Sequence, residues 1–432
     1  MQYYSLNRES ENVNFRKAVF QGLAPDRGLY FPESIPKIRT AFFEQIENLS
    51  HAEIAFEVIS PFVGDEIPET DLKRIITETL SFDFPITEIE PDIYALELFH
   101  GPTMAFKDVG ARFMARCLGF FNQHDPNAKH TVLVATSGDT GGAVASGFLD
   151  VEGVDVAILY PKGKVSDIQE RQLTTLGRNI KALRVDGVFD DCQDMVKTAF
   201  LDSELASLNL TSANSINIAR WLPQMFYFFF VYKSLRKTGK PITISCPSGN
   251  FGNICAGILA KKMGLPIAHF VASTNANDTV PRFLQQWQYD PKASVQTLSN
   301  AMDVGNPSNF SRILELYAHD KSSLLKDFSA YSFSDGQTVA AMKSVYGSSG
   351  YLLDPHGAVG YLGLRTSMDR TNEMTGVFLE TAHSVKFGDV VNQAIGMEPE
   401  IPEQLKSILD KKIEFTDIRD YEELKLFLLN KR

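Results

Sequence analysis

Cysteine and positive charge are both scarce in this sequence. Its 432 residues include four cysteines, none in close CxxC spacing, which is too few to cross-link a secreted scaffold of this length. The 42 Lys and Arg residues are outnumbered by 53 Asp and Glu residues, giving a formal net charge of −11. Nucleic-acid-binding proteins need a clustered basic surface, so we expect no nucleic-acid partner.

Long apolar runs are also missing. The most apolar stretch, Trp221 to Tyr232, is interrupted by Pro223 and Gln224 and falls short of the ~20 apolar residues of a membrane span. We predict a buried helix there and no membrane contact. The opening MQYYSLNRESENVNF has no apolar core behind a basic patch, as a signal peptide would. We therefore expect a cytoplasmic protein with reduced thiols, and no segment indicates an obligate protein partner.

The apolar pattern divides the chain into three parts. Helical spacing in FFEQIENLSHAEIAFEVISPFVG and DLKRIITETLSF predicts a small, mostly helical domain over residues 1–92. From residue 93, short β-branched runs are each followed by a Gly-containing turn and a helix-like segment, as in parallel α/β units. This pattern predicts two α/β lobes with parallel sheets, over residues 93–236 and 237–432. The second lobe ends in a helical tail.

The segment SGNFGN, from Ser248 to Asn253, lies between an apolar strand and a predicted helix. The first N–H groups of a helix are unpaired and glycines let them approach a phosphate closely. The segment lacks the Lys-Ser/Thr pair of a nucleotide-binding P-loop and the GxGxxG spacing of a dinucleotide site. Local spacing alone is equally compatible with an ordinary tight turn; if the segment is a site, it holds a monophosphate.

A second polar turn, TSGDTG from Thr136 to Gly141, follows the apolar strand TVLVA. Ser and Asp are common helix caps, so capping alone would explain this turn. If a cofactor phosphate is bound at the first loop, the second turn is suited to a substrate carboxylate.

Lys107 lies in the segment HGPTMAFKD, directly after Met104, Ala105 and Phe106. Most lysines are solvated and protonated at neutral pH, but an apolar setting lowers a lysine pKa towards the range in which the amine attacks carbonyls. A lysine of this kind together with a phosphate-binding loop suggests pyridoxal phosphate.

Eight segments together resemble the motifs of the threonine synthase family, in that family's order. They are HGPTMAFKD, ATSGDTGGAV, SANSINIAR, CPSGNFGN, NANDTVPRFL, LSNAMDVGNPSNF, DPHGAVG and ETAHSVKF. They cover nearly the whole chain. The resemblance implies a fold type II pyridoxal-phosphate enzyme, tryptophan synthase β-like. It also implies conversion of O-phospho-L-homoserine and water to L-threonine and phosphate by β,γ-replacement, the last step of threonine biosynthesis.

The resemblance further implies roles for particular residues. Lys107 is the catalytic residue and binds the cofactor as a Schiff base, and Thr381 meets the pyridine nitrogen. The cofactor phosphate is assigned to Gly249, Asn250, Phe251 and Gly252. The substrate is assigned to Thr103, Ser137, Gly138, Asp139, Thr140, Asn214, Ser215 and Arg220. Taken one at a time, Thr381 and the polar segments are also compatible with strand ends or helix caps.

The substrate phosphate needs local cations in so acidic a protein. Besides Arg220, the candidates are Lys162 in YPKGK and the segment NANDTVPRF with Asn277, Asp278 and Arg282.

The chain departs from the family pattern after TAH, where Ser384 and Val385 stand in place of the usual proline and alanine. We expect this change to loosen the loop beside Thr381. His356 and His383 have no metal-ligand spacing, so we predict structural histidines and no metal.

The main alternative is another fold type II enzyme, such as a serine or threonine dehydratase. Such an enzyme would share Lys107 and the phosphate loop. The long N-terminal domain and the segments HGPT and SANSINIAR count against this alternative.

Overall fold

The computed structural model describes residues 1–125, 129–368 and 374–430, and it begins with a small antiparallel sheet. The strands and helices of this first part are β1 (Gln2–Ser5), β2 (Val13–Asn14), α1 (Phe15–Gln21), β3 (Tyr30–Pro32), α2 (Thr40–Gln45), α3 (His51–Val63) and α4 (Glu69–Thr79). The helices agree with the predicted, mostly helical domain. The sheet, in the order β2-β1-β3, was not predicted. Its signal is the alternation that buries Tyr3 and Ser5 on one face of β1.

The middle of the chain alternates strands with helices. Its elements are β4 (Ile86–Glu90), β5 (Ile93–Glu97), α5 (Lys107–Gln123), β6 (His130–Ala135), α6 (Asp139–Phe148), β7 (Val154–Pro161), α7 (Asp167–Thr174), β8 (Ile180–Val185), α8 (Phe189–Leu201), β9 (Leu210–Ser212), α9 (Ile218–Trp221) and α10 (Phe226–Leu235). The predicted apolar helix is buried, but a 3-10 segment at Leu222–Met225, which contains Pro223, divides it. Proline removes an N–H donor, which accounts for the break.

The last part continues the alternation. Its elements are β10 (Ile242–Pro247), α11 (Gly252–Met263), β11 (His269–Thr274), α12 (Thr279–Gln286), α13 (Phe310–Leu316), α14 (Lys321–Asp327), β12 (Phe328–Ser332), α15 (Asp335–Ser349), α16 (Pro355–Met368), β13 (Thr375–Glu380), α17 (Gly388–Ile395), α18 (Glu403–Leu409), β14 (Thr416–Ile418) and α19 (Tyr421–Leu429). The predicted helical tail therefore contains a strand between its two helices. Within the described ranges, no helix is both long and apolar enough to span a membrane.

Two larger sheets confirm the predicted pair of parallel α/β lobes. Among the described residues, one sheet has the order β12-β11-β10-β13-β5-β4, in which only β4 is antiparallel, and the other is the parallel sheet β14-β8-β7-β6-β9. The division of the chain after residues 92 and 236 stays a prediction. Among the described residues, strand pairing crosses it three times: β4 pairs with β5 across the division after residue 92, and β5 with β13 and β14 with β8 across the division after residue 236.

The order of strands brings distant turns together. The strands β10, β13 and β5 are parallel neighbours, so their carboxyl ends at Pro247, Glu380 and Glu97 lie at one edge of the six-stranded sheet. In the other lobe, β6 ends at Ala135, where the turn to α6 begins. Ligands of parallel sheets bind beyond such carboxyl ends.

Arg312 on α13 connects the N-terminal part to both lobes. Its guanidinium donates hydrogen bonds to the carbonyls of Tyr30, at 2.9 Å, and Ile216, at 2.7 Å, and to the Asn309 side chain, at 2.8 Å. It also lies 4.3 Å from the centre of the Trp221 ring. The side chain is fully buried and, within the described residues, forms no ion pair, so backbone carbonyls take the place of a carboxylate.

The substitution Arg312→Met should destabilise the whole fold. It leaves the buried carbonyl of Tyr30 and the half-buried carbonyl of Ile216 without a donor, and an unsatisfied buried acceptor costs about 1–3 kcal/mol. We expect the midpoint of thermal unfolding, measured by circular dichroism, to fall by roughly 5 °C or more. The matched control Arg419→Met removes an arginine that is 77% exposed and should leave the midpoint unchanged. An unchanged midpoint for Arg312→Met would contradict the bridging role.

Candidate active site

A cavity of about 440 Å³ lies where these carboxyl ends meet. Twelve of the fourteen residues assigned from the sequence line it: Lys107, Ser137, Asp139, Thr140, Asn214, Ser215, Arg220, Gly249, Asn250, Phe251, Gly252 and Thr381. Thr103 and Gly138 are not among the described residues that line it. Thr103 is buried one turn before Lys107, and Gly138 packs so closely on Gln169 that an added Cβ would lie 2.5 Å from its side chain.

Lys107 and Thr381 are held side by side by backbone hydrogen bonds. The Phe106 N–H donates to the Thr381 carbonyl at 2.9 Å, and the His383 N–H donates to the Met104 carbonyl at 3.1 Å. The segment before Lys107 thus pairs with the segment after β13, through a bridge between Ala105 and Ala382. This pairing fixes where Lys107 starts α5 relative to the end of β13. We call it the Ala105–Ala382 bridge.

The turn that leads into Lys107 is stabilised from within. The Asp108 carboxylate accepts hydrogen bonds from the Thr103 N–H, at 2.9 Å, and from its hydroxyl, at 2.7 Å. Met104 has a φ of 56°, in the left-handed region that residues other than glycine rarely adopt. Strain of this kind costs of order 1–3 kcal/mol and concentrates at functional sites. Thr103 therefore shapes the turn that carries Lys107.

The Lys107 amine is buried, and three charged side chains lie near it. Burial lowers its pKa to about 8, the Asp139 carboxylate raises it, and the positive charges of Arg220 and Lys386 lower it further. A pKa near neutrality gives a substantial fraction of free amine, which is the nucleophilic form.

The loop from Ser248 to Phe251 offers a row of backbone donors. Phe251 has a φ of 59° and turns the chain into α11, and the N–H groups of residues 249–253 have no hydrogen-bond partner among the residues that the structure describes. The Asn250 side chain braces the loop, because it donates to the Ser215 hydroxyl at 2.7 Å and accepts from the Ser308 N–H at 2.6 Å. The loop can thus hold a phosphate through its backbone.

The short 3-10 segment Asn300–Met302 packs directly on this loop. A Cβ added to Gly249 would lie 2.7 Å from the Met302 Cα, so only glycine fits there. His356 holds this second segment, because its Nε2 accepts a hydrogen bond from the Ala301 N–H at 3.2 Å and its Nδ1 pairs with Asp354 at 2.6 Å. His356 lines the cavity, and both of its ring nitrogens are used in this bracing.

The turn after β6 provides the other set of backbone donors. The Thr136 hydroxyl accepts hydrogen bonds from the N–H groups of Gly138, at 3.0 Å, and Gly141, at 2.8 Å. The N–H groups of Ser137, Asp139 and Thr140 have no partner among the described residues. They lie at the start of α6, where an anion is stabilised.

Arg220 is the buried cation of the cavity wall. One end of its guanidinium donates to the Ala213 carbonyl, whereas its buried Nε has no hydrogen-bond partner in the described part of the chain. Burial lowers its pKa to about 10, so it stays charged at neutral pH. A Cβ on Gly110 would lie 2.5 Å from the Arg220 carbonyl, so that glycine allows Arg220 to approach α5.

The other proposed phosphate contacts do not line the cavity. Lys162 is exposed, and Arg282 forms ion pairs with Asp278 at 2.8 Å and Asp290 at 3.2 Å. The Asn277 side chain is hydrogen-bonded to Asn275, Val295 and Asp303. The sequence missed two lysines that do line the cavity, Lys197 on α8 and Lys292. Neither lies in a recognisable motif, so only the fold could reveal them. Within the described ranges, no group of three or more metal-binding side chains could hold a metal ion.

Comparison with known proteins identifies the family. Residues 2–80 match the model of the threonine synthase N terminus, residues 76–379 that of the pyridoxal-phosphate dependent enzymes, and residues 357–428 that of the threonine synthase C-terminal region. The threonine synthase of Haemophilus influenzae is 44% identical over 94% of both chains. The chain belongs to the threonine synthase family. Its activity is threonine synthesis and its cofactor is pyridoxal phosphate, as the resemblance predicted.

Solved threonine synthases share the whole fold. The crystal structure from Escherichia coli superposes with a TM-score of 0.94 at 41% identity and covers all of both chains. A threonine synthase from Brucella melitensis with bound pyridoxal phosphate has a TM-score of 0.93 at 36% identity, over 100% of this chain and 99% of that one. These relatives support threonine synthase over the dehydratase alternative and confirm the fold type II class. The buried amine, the row of N–H donors and the Thr381 hydroxyl fit the aldehyde, phosphate and ring nitrogen of the cofactor.

The substitution Gly249→Ala should weaken cofactor binding. Its methyl group would collide with the Met302 backbone and displace the N–H donors of the phosphate loop. We expect the dissociation constant of pyridoxal phosphate, measured by absorbance titration of the cofactor-free enzyme, to rise at least about tenfold, or ~1.4 kcal/mol. Gly347→Ala is the matched control, because nothing lies within 4 Å of its added Cβ. Equal affinities for pyridoxal phosphate in the two variants would contradict the assignment of this loop to the cofactor phosphate.

Proposed function

We propose that this threonine synthase acts on O-phospho-L-homoserine and water, with Lys107 as the residue that binds the cofactor and moves protons. The observation that carries the proposal is the arrangement of the cavity: the Lys107 amine shares one cavity with two separate sets of backbone N–H donors and with the buried Arg220. A phosphorylated amino-acid substrate and a phosphorylated cofactor need several anion sites of this kind.

The cofactor would be held by Lys107, by the backbone of Gly249 to Gly252 and by the Thr381 hydroxyl. When bound, pyridoxal phosphate supplies a sink for the electrons left on the substrate when a carbon-bound proton is removed. A neutral hydroxyl at Thr381 does not hold the ring nitrogen protonated, as a carboxylate would. Thr381 therefore moderates that sink.

The Lys107 amine does the proton transfer. As a free amine beside the bound substrate, Lys107 would be placed to take a proton from the substrate Cα and to move protons at Cβ. Its pKa of about 8 suits both directions of transfer near neutral pH. No second base is needed beside it.

The substrate would be oriented by its two anionic ends. The N–H groups of Ser137, Asp139 and Thr140 would receive the carboxylate, and Asn214 and Ser215 line the wall between the lobes. Arg220 would attract the substrate phosphate by its positive charge, with Lys197 and Lys292 as further cations along the cavity. We place the reaction in the cytoplasm, which the four free, buried cysteines support.

Lys107→Ala should abolish the imine absorption of the bound cofactor and all turnover, because the other lysines among the described lining residues, Lys197 and Lys292, lie on other segments of the chain. In the unchanged enzyme, borohydride should fix the cofactor to a single lysine, identified by peptide mass spectrometry as Lys107. Lys411→Ala, an exposed lysine, serves as the control and should behave as the unchanged enzyme. A label on another lysine would overturn the assignment.

The choice of substrate can be tested by supplying O-phosphohomoserine, O-phosphoserine, homoserine, serine and threonine separately. Homoserine lacks the leaving group, and O-phosphoserine is one methylene shorter, so its phosphate should not reach Arg220 when its Cα lies beside Lys107. We expect threonine and phosphate only from O-phosphohomoserine. Rapid deamination of serine or threonine without that reaction would favour a dehydratase.

A further inference from the structure

Lys386 lies outside the cavity lining but is directly connected to it. The residue belongs to the 3-10 segment Ser384–Phe387 that follows β13, and its side chain is completely buried. Its ammonium donates a hydrogen bond to the Asp139 carboxylate at 2.9 Å. Asp139 starts α6 in the other lobe, so this buried ion pair joins the two lobes at the cavity.

The charge of Asp139 is a problem for the proposed substrate site. Asp139 belongs to the turn whose N–H groups would receive the substrate carboxylate, and it lines the cavity itself. Burial alone would raise the pKa of Asp139, but Lys386 and Lys107, with a hydrogen bond from Gln169 at 3.1 Å, lower it well below its usual range. The turn thus contains a permanent negative charge, which repels a second carboxylate strongly in a buried site.

Four other charged or titratable groups lie near the pair. Arg220 on α9 is positive, Lys107 on α5 is positive when protonated, and Asp108, also on α5, has a pKa raised by burial. Burial lowers the pKa of His383 to about 4, so it is neutral. Without Lys386, the nearest cation left to compensate Asp139 would be Lys107, which is the amine that has to stay reactive.

We propose that Lys386 is a positioning residue: it neutralises Asp139, so that the turn after β6 admits the substrate carboxylate and Lys107 does not become the counter-ion of Asp139. The part that concerns the carboxylate rests on the proposed function. The part that concerns Lys107 does not, because it depends only on charges within this chain.

Three variants test the proposal by the sign of their effects. The full-length chain is freed of cofactor, and the rate at which pyridoxal phosphate attaches to Lys107 is measured against pH. Attachment needs the unprotonated amine, so the midpoint of this profile reports Lys107. Lys386→Met leaves Asp139 uncompensated, and the midpoint should rise by about one pH unit. Asp139→Asn leaves Lys386 uncompensated, and the midpoint should fall. The double variant Asp139→Asn/Lys386→Met should return close to the unchanged enzyme.

The part of the proposal that concerns the substrate carboxylate is tested by steady-state kinetics, after pyridoxal phosphate has been added back to each enzyme. Lys386→Met should raise the KM for O-phosphohomoserine at least about tenfold, whereas the double variant should recover most of that loss. If the double variant is as impaired as Lys386→Met in both measurements, the Lys386–Asp139 ion pair only holds the two lobes together. That result would overturn the proposal. If Lys386→Met does not fold, an unchanged or raised midpoint in Asp139→Asn would overturn it equally. Absence of turnover in the unchanged enzyme would contradict the proposed function while leaving the attachment profiles interpretable.

Discussion

The Ala105–Ala382 bridge is the constraint on which the rest of the site depends. It pairs the segment before Lys107 with the segment after β13, so that one short stretch of backbone fixes Lys107, Thr381 and Lys386 relative to each other. The parallel register of β5 with β13 brings the two segments to the same edge of the sheet. A catalytic geometry built on strand ends in this way is more precise than one built on free loops.

The local chemistry of the site could be predicted from the sequence, because it lies in contiguous segments. Lys107 follows an apolar run and the phosphate loop directly precedes α11, so each could be recognised from a few residues. The family resemblance supplied the remaining predicted site residues. Lys386 could not be predicted, since its partner Asp139 lies 247 residues away. Arg282 was misleading for a similar reason: nothing in NANDTVPRF shows that its charge is paired with nearby carboxylates.

The class of the fold was predicted from the sequence, but the pairing of its strands was not. Alternating β-branched runs and Gly-containing turns are enough to indicate parallel α/β lobes. They do not indicate which strand pairs with which. No sequence signal therefore indicated that β5 pairs with β13 in one sheet and that β14 pairs with β8 in the other. The small N-terminal sheet was missed because its strands are only two to four residues long.

The placement of β14 also delays the completion of its sheet during synthesis. The other strands of its sheet are complete once Ser212 has been made, but β8 keeps an open edge until the much later segment Thr416–Ile418 has been made. Open strand edges attract pairing from other chains, and pairing between remote segments is slow to form. The nascent chain therefore has an aggregation-prone edge while the residues between Ser212 and Thr416 are being made, and that edge is covered once β14 has paired with β8.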